Sequence, residues 1–409
     1  MSGPYAALKI RDFRLFISAR FCITLAIQIQ AVIVGWQVYE ITRDPLSLGL
    51  IGLAEAIPSI TVSLYAGHVA DVMSRKRIII VTIFTLLLCS SALLFFTMDI
   101  GAFVLQRGIW PIYSVIFISG IARGFITPAI FSFMPQLVPR ELYQNAITWN
   151  STLWEMASIG GPPIGGLIYG FFGITAAYSL DVILTCVGLA LAVLVANKPL
   201  PPLTEEQGIV GKIKAGLKFV FQNKIILSAI TLDLFAVLFG GAVALLPIFA
   251  NEILHVGQIG LGFLRSAPGI GALLTALYLT YHPIRKSMGS LLLYSVGGFG
   301  LCMICFALSR NMWLSMGVLV ISGAFDCVSV IIRGTLLHTL TPENMKGRVS
   351  AVNNIFIGSS NEIGAFESGV AARLFRVVPS VIFGGVMTLV VVATMAWKAP
   401  ALRKLQRVA

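Results

Sequence analysis

Gly67-His68-Val69-Ala70-Asp71-Val72-Met73-Ser74-Arg75-Lys76-Arg77 breaks the chain between two apolar runs, at residues 46–70 and 78–98. Runs of about 20 apolar residues are long enough to cross a bilayer as helices. The break itself has an order. Gly67 lets two helices approach closely. Asp71, four residues on, ends a helix at the membrane face, where it can meet the partial positive charge of a neighbouring helix N-terminus. Arg75, Lys76 and Arg77 then hold the turn on the basic, cytoplasmic side. The plainer reading is a basic loop that only sets orientation, but it leaves the Gly and the Asp without a purpose.

The rest of the chain fits this beginning. Of 409 residues, 57% are hydrophobic and 11% charged, and the mean hydropathy is +0.91. Soluble domains carry roughly 25% charged residues, so lipid must be the solvent here. The formal net charge of +12 is topogenic, since no aromatic-basic groove or nucleic-acid motif accompanies it. Further apolar runs place spans near 15–39, 46–70, 78–98, 111–133, 146–170, 174–196, 225–250, 259–281, 288–308, 313–335, 348–372 and 377–397. With both termini cytoplasmic, the inside segments hold 20 Lys and Arg and the outside segments 5. That imbalance sets the orientation. No cleavable signal precedes the first span. Cys22, Cys89, Cys186, Cys302, Cys305 and Cys327 all lie in apolar runs. The Cys302–Cys305 spacing has no second pair or His partner, so these are packing thiols rather than metal or redox groups.

The longest break, Asn197–Lys224, has three prolines followed by a Lys-rich stretch that could form an amphipathic helix. It divides the chain into a six-helix bundle at 1–197, a cytoplasmic linker at 198–224 and a second bundle at 225–409. The bundles repeat. Shifting the second back by 203 residues lays Ile321-Ser322-Gly323 on Ile118-Ser119-Gly120, Pro342 on Pro139, Asn353 on Asn150, Gly364 on Gly161 and Gly369 on Gly166. A shift of 210 lays Arg285-Lys286 on Arg75-Lys76 and Pro268 on Pro58. Parallel repeats of this kind build transporters whose substrate site lies near mid-membrane.

Gly161-Pro162-Pro163-Ile164-Gly165-Gly166 lies in the fifth span. Its prolines remove backbone donors and its small residues permit close helix contact. Arg123 follows Gly120 in the fourth span. With these residues in view, the chain resembles the major facilitator superfamily. The 67–77 stretch resembles its loop motif, although Leu277 and Tyr281 replace the Gly and Asp in the second half. Gly161, Pro162, Gly165 and Gly166 resemble its antiporter motif, whose proline is absent from the counterpart at Gly364–Gly369. Arg123 resembles its fourth-span motif without the following Gln-Gly. The segments at Phe13–Arg20, Gly67–Arg77, Arg123–Pro128 and Asn353–Gly369 resemble the bacterial branch with siderophore exporters and macrolide efflux pumps. The resemblance implies an all-α membrane protein of twelve transmembrane helices in two six-helix pseudo-repeats, the major facilitator fold. It also implies a cavity formed by spans 1, 4, 7 and 10.

Ionisable residues within spans are costly and so are functional candidates. They are Arg20, Glu55, Arg123, Glu155, Asp233, Arg265, Asp326, Arg333, Glu362 and Glu367. The repeat lays Arg123 on Asp326 and Glu55 on Arg265, opposite signs at equivalent positions. Arg123 and Asp326 are therefore expected to face one cavity, with Glu55, Glu155, Arg265, Glu362 and Glu367 as further substrate or coupling candidates. The plainer reading is that the charges only fix helix packing. No HExxH, Walker loop or Gly-x-Ser-x-Gly is present, which argues against an ATPase or hydrolase. The expectation is a monomeric secondary transporter of a bacterial inner membrane. It would export a small amphipathic or anionic compound, a siderophore or a drug, with a proton moving inward. No cofactor, metal or nucleic acid is expected; membrane lipid and the small-molecule substrate are. A lysolipid flippase of the same fold is the alternative, ahead of a membrane enzyme or sensor.

Overall fold

A computed structural model of the chain describes residues 3–98, 101, 108–198, 209–282, 284, 287–342, 345–403 and 405. Among the described residues all regular structure is helical. Inside lipid a backbone must satisfy its own hydrogen bonds, and a helix does so within one segment. The principal helices are α1 (Arg11–Thr42), α2 (Pro45–Val72), α3 (Arg75–Phe96), α4 (Trp110–Phe133), α5 (Tyr143–Leu194), α6 (Ile209–Gln222), α7 (Lys224–Phe239), α8 (Gly257–Tyr281), α9 (Met288–Leu308), α10 (Met312–Leu340), α11 (Lys346–Phe375) and α12 (Val377–Lys398).

Ten of the described helical stretches are long and apolar enough to cross a membrane. Two of the twelve expected spans do not add separately to that count. The spans expected at 146–170 and 174–196 are two helices that follow one another directly within the range labelled α5, separated at Gly173, where φ is 83° and ψ 174°. That conformation is open essentially to glycine alone. The stretch expected at 348–372 forms α11, 30 residues long and the least apolar of these long helices. The expected linker contains α6, as its Lys-rich pattern suggested; residues 199–208 lie outside the described residues. Beyond Gly240, α7 gives way to tight turns and a π-helical turn at Phe249–Ile253. Asn223 and Asn311 start α7 and α10, each accepting two backbone N–H bonds at 2.9–3.2 Å.

The described chain forms two compact units. The first comprises Met1–Arg43, Ala54–Glu205 and Gly257–Ser266; the second comprises Asp44–Leu53, Glu206–Val256 and Ala267–Ala409. They differ from the halves 1–197 and 225–409 by a symmetric exchange: each takes in the opening turns of the other half's second helix. In the first unit, Phe13, Phe16 and Ile17 of α1 pack with Ile79 and Ile83 of α3 and Phe133 of α4. Phe16 and Phe133 meet edge-on at 5.8 Å. In the second, Leu232 of α7, Leu292 and Val296 of α9 and Ile332 and Leu336 of α10 form one core. Val220 of α6 packs beside it with Ile226, Ile230, Val349 and Val352. The outer faces are apolar too. Val81, Phe84 and Leu88, spaced along one face of α3, are all exposed, as a lipid-facing helix requires.

Candidate functional site

In the first unit the site is built on glycines. Gly120 and Gly124 lie one turn apart on α4. A Cβ on Gly120 would stand 2.5 Å from the Glu55 carbonyl oxygen, and one on Gly124 2.8 Å from that of Ser59. The missing side chains let α4 lie directly on α2. Between them Arg123 forms an ion pair with Glu55, both half-buried. Sequence reasoning picked both residues but matched each to the opposite half; the structure joins them within one unit.

A row of polar residues runs along α1. Gln30 donates to Asp181 of α5 at 3.2 Å and to Ser90 of α3 at 3.3 Å. Gln37, two turns along, accepts from Tyr178 at 2.6 Å. Glu40 accepts from Tyr169 at 3.0 Å. Asp181 is 1% exposed. Sequence reasoning missed it, although a lone Asp within the 174–196 run is the same signal that marked the other candidates. Toward the start of α1, Arg20 donates to Asn150 of α5.

The Gly-Pro stretch packs on two partners at once. Gly161 and Gly165, one turn apart, rest on Gln28 and Ile29 of α1, where added Cβ atoms would come within 2.6 and 3.2 Å. Gly166 faces α8: its Cβ would lie 2.6 Å from the Gln258 carbonyl oxygen, and a Cβ on Gly262 2.5 Å from that of Pro162. The counterparts in the second unit repeat this. Gly364 rests on Val237 and Leu238 of α7, and Gly369 on Pro45 and Gly49 of α2. Glu155, a turn and a half before Gly161, is half-buried with no partner among the described residues.

The basic residues of the 67–77 stretch cap other helices. Arg75 donates to the Ser132 carbonyl at 2.9 Å, at the end of α4, and Lys76 to the Val193 carbonyl at 2.8 Å, at the end of α5. Cations suit the carbonyl end of a helix. Arg77 is exposed. Asp71 is the penultimate residue of α2, at a helix end as expected, but its side chain and the surroundings of Gly67 lie outside what the structure describes, as do Arg285 and Lys286.

In the second unit Asp233 of α7 and Arg333 of α10 form a buried ion pair. Asp326, midway along α10, is exposed and has no partner among the described residues. A carboxylate at that depth is costly against lipid, which keeps it a functional candidate. On α11, Glu362 has its carboxylate against Gly52 of α2. Glu367, five residues on, is half-buried and unpartnered among the described residues. Arg265 is half-buried on α8.

Long apolar helices in two repeated sets, with charged side chains in their interiors, define a membrane transporter of the major facilitator class. The chain belongs to the transmembrane secretion effector family of that superfamily, which matches residues 2–408. It is 25% identical over 380 residues to an enterobactin exporter of Shigella dysenteriae, covering 93% of this chain and 89% of that one. To an enterobactin exporter of Escherichia coli O1:K1 it is 25% identical over 382 residues, with the same coverage. Its fold is that of the POT family transporter PepTSo (TM-score 0.74, 12% identity, 96% of this chain and 98% of that one). It is also that of a D-xylose-proton symporter (TM-score 0.73, 15% identity, 94% and 97%). The protein is thus an integral membrane transporter and not an enzyme.

Proposed function

We propose that the protein exports a small amphipathic or anionic compound, a siderophore or a drug, across a bacterial inner membrane in exchange for protons. The observation that carries this reading is the half-exposed Arg123, held at mid-helix by Glu55. A guanidinium so placed can trade its carboxylate for an anionic group of the cargo at little net electrostatic cost. Enterobactin exporters align with 93% of the chain, which supports export as the direction and a siderophore-like cargo. The unpartnered carboxylates Asp326 and Glu367 support proton coupling, because a carboxylate free of a fixed cation can bind and release a proton as its access to water alternates. Binding to the purified protein in detergent tests the reading, with a catechol siderophore, a macrolide and a lysolipid as probes. Saturable binding of the siderophore or the macrolide, weakened at least tenfold by Arg123→Ala, is expected. Binding of the lysolipid alone would move the assignment to a lipid flippase.

A further inference from the structure

Asp181 is the most enclosed carboxylate among the described residues. It is 1% exposed, and the neighbours that bond it are neutral: Gln30 from α1 and Ser90 from α3. The cation whose charge acts on it is Arg123 from α4, and Arg123 is already paired with Glu55 of α2. Cys89 of α3 and Tyr178 of its own helix are its further titratable neighbours among the described residues, and both are neutral as thiol and phenol at pH 7. Two carboxylates therefore lie within the field of one guanidinium, which is bonded to Glu55. With both ionised the group would carry an uncompensated negative charge in a medium that tolerates it poorly.

We propose that Asp181 is a proton-binding site of the first unit and holds the one proton that brings the Glu55–Arg123–Asp181 group to neutrality. Asp181 takes it rather than Glu55 because Glu55 has the guanidinium and Asp181 only neutral partners. The proton moves when Arg123 moves. If Arg123 swings from Glu55 to Asp181, Asp181 gives up its proton and Glu55, left without its cation, takes one. The group keeps one proton and the same total charge, while the proton passes from buried α5 to half-exposed α2, where water can exchange it. Polar side chains continue from the site toward the other end of α1. Gln30, Gln37 and Glu40 follow one another along α1, bonded in turn to Asp181, Tyr178 and Tyr169. Glu40 at the end of the row is exposed.

Occupancy by a proton stands independently of the transport reading; only its role as a coupling step rests on it. Infrared spectroscopy of the purified protein tests occupancy, since a protonated carboxyl has a carbonyl stretch that a carboxylate lacks. At pH 7 the wild type should show this band, and Asp181→Asn should lose one carboxyl's share of it. A band of undiminished area in Asp181→Asn would overturn the proposal. Should that variant fail to fold, Glu55→Gln decides the matter. It frees Arg123 for Asp181, so the band should weaken at pH 7, and an unchanged band would count against the shared guanidinium. Proton uptake by vesicles is the separate arm: the Asp181 band present but proton-coupled efflux absent in the wild type would sink the exchange mechanism and leave the proton site standing.

Discussion

Gly173 and Arg376 stand 203 residues apart and take nearly the same backbone conformation, φ 83° and ψ 174° at the glycine and φ 71° and ψ 163° at the arginine. The shift is the one that superposes the two halves of the sequence. Both residues separate the fifth helix of a repeat from the sixth. The duplicated chain has kept the turn and changed the residue. A side chain at that φ and ψ costs of the order of 1–3 kcal/mol, so Arg376 is strained where Gly173 is not. Arg376→Gly should therefore stabilise the protein by about 1 kcal/mol after glycine's extra unfolded-state entropy is set against the relief. Gly173→Ala should destabilise it by a similar amount. Thermal unfolding in detergent measures both, and a lowered midpoint for Arg376→Gly would contradict the strain argument.

Asp233 and Arg333 offer a second test of energetics. Their side chains are 9% and 5% exposed. Removing one partner of a buried pair leaves an uncompensated charge and costs roughly 3–5 kcal/mol. Asp233→Asn and Arg333→Met should each show a loss of that size, while the double variant should recover most of it. Additive losses would mean that the two charges are not coupled.

The glycine contacts predict a different outcome. A Cβ on Gly262 or Gly369 would enter backbone of the facing helix, at 2.5 Å from the Pro162 carbonyl oxygen and 2.9 Å from the Gly49 Cα. The helices must move apart to admit it. Gly262→Ala and Gly369→Ala should each cost about 1–3 kcal/mol. Gly317→Ala, at a position with nothing within 4 Å, should cost nothing measurable and serves as the control.

How much of this was written in the sequence depends on the kind of signal. The helices, the repeat and the glycine pairs Gly161/Gly364 and Gly166/Gly369 were legible because length, hydropathy and spacing are local properties. So was the membership of Arg123 and Glu55 in the site, since any charge within an apolar run stands out. Their pairing was not legible. It depends on Gly120 and Gly124 bringing α4 onto α2, a contact between helices, and a one-residue error in helical phase turns a side chain by about 100°. Asp233 and Arg333 lie 100 residues apart and were unmatched for the same reason. Asp181 was passed over although its signal was local, and Gln30, Gln37 and Tyr178 could not be singled out because neutral polar residues are common in spans.

Orientation remains an expectation, and the basic residues give it a sign. Twenty Lys and Arg fall in the segments assigned to the inside and 5 in those assigned to the outside. Reporter fusions after Lys198 and after Ala399 should both read as cytoplasmic. A periplasmic reading at Lys198 alone would mean that the first half crosses the membrane an odd number of times, and the break at Gly173 would then not separate two spans.

Proton coupling gives the last test. Asp326 is an exposed carboxylate halfway along α10, and Glu367 is a half-buried one on α11, both without partners among the described residues. A group that couples transport to protons must be charged in one state and neutral in the other. Its amide is neutral in both. Asp326→Asn and Glu367→Gln should therefore bind cargo in detergent within about threefold of the wild type, because neither change removes Arg123. In vesicles an imposed pH gradient should no longer drive efflux through the coupling residue's amide variant, a fall of at least tenfold, while cargo still moves down its own concentration gradient. Glu362→Gln is the third variant, since its carboxylate lies against Gly52 on α2. If one of the three loses gradient-driven efflux and keeps downhill movement, that residue carries the proton. If all three respond to the gradient as the wild type does, the coupling carboxylate is not in the second unit.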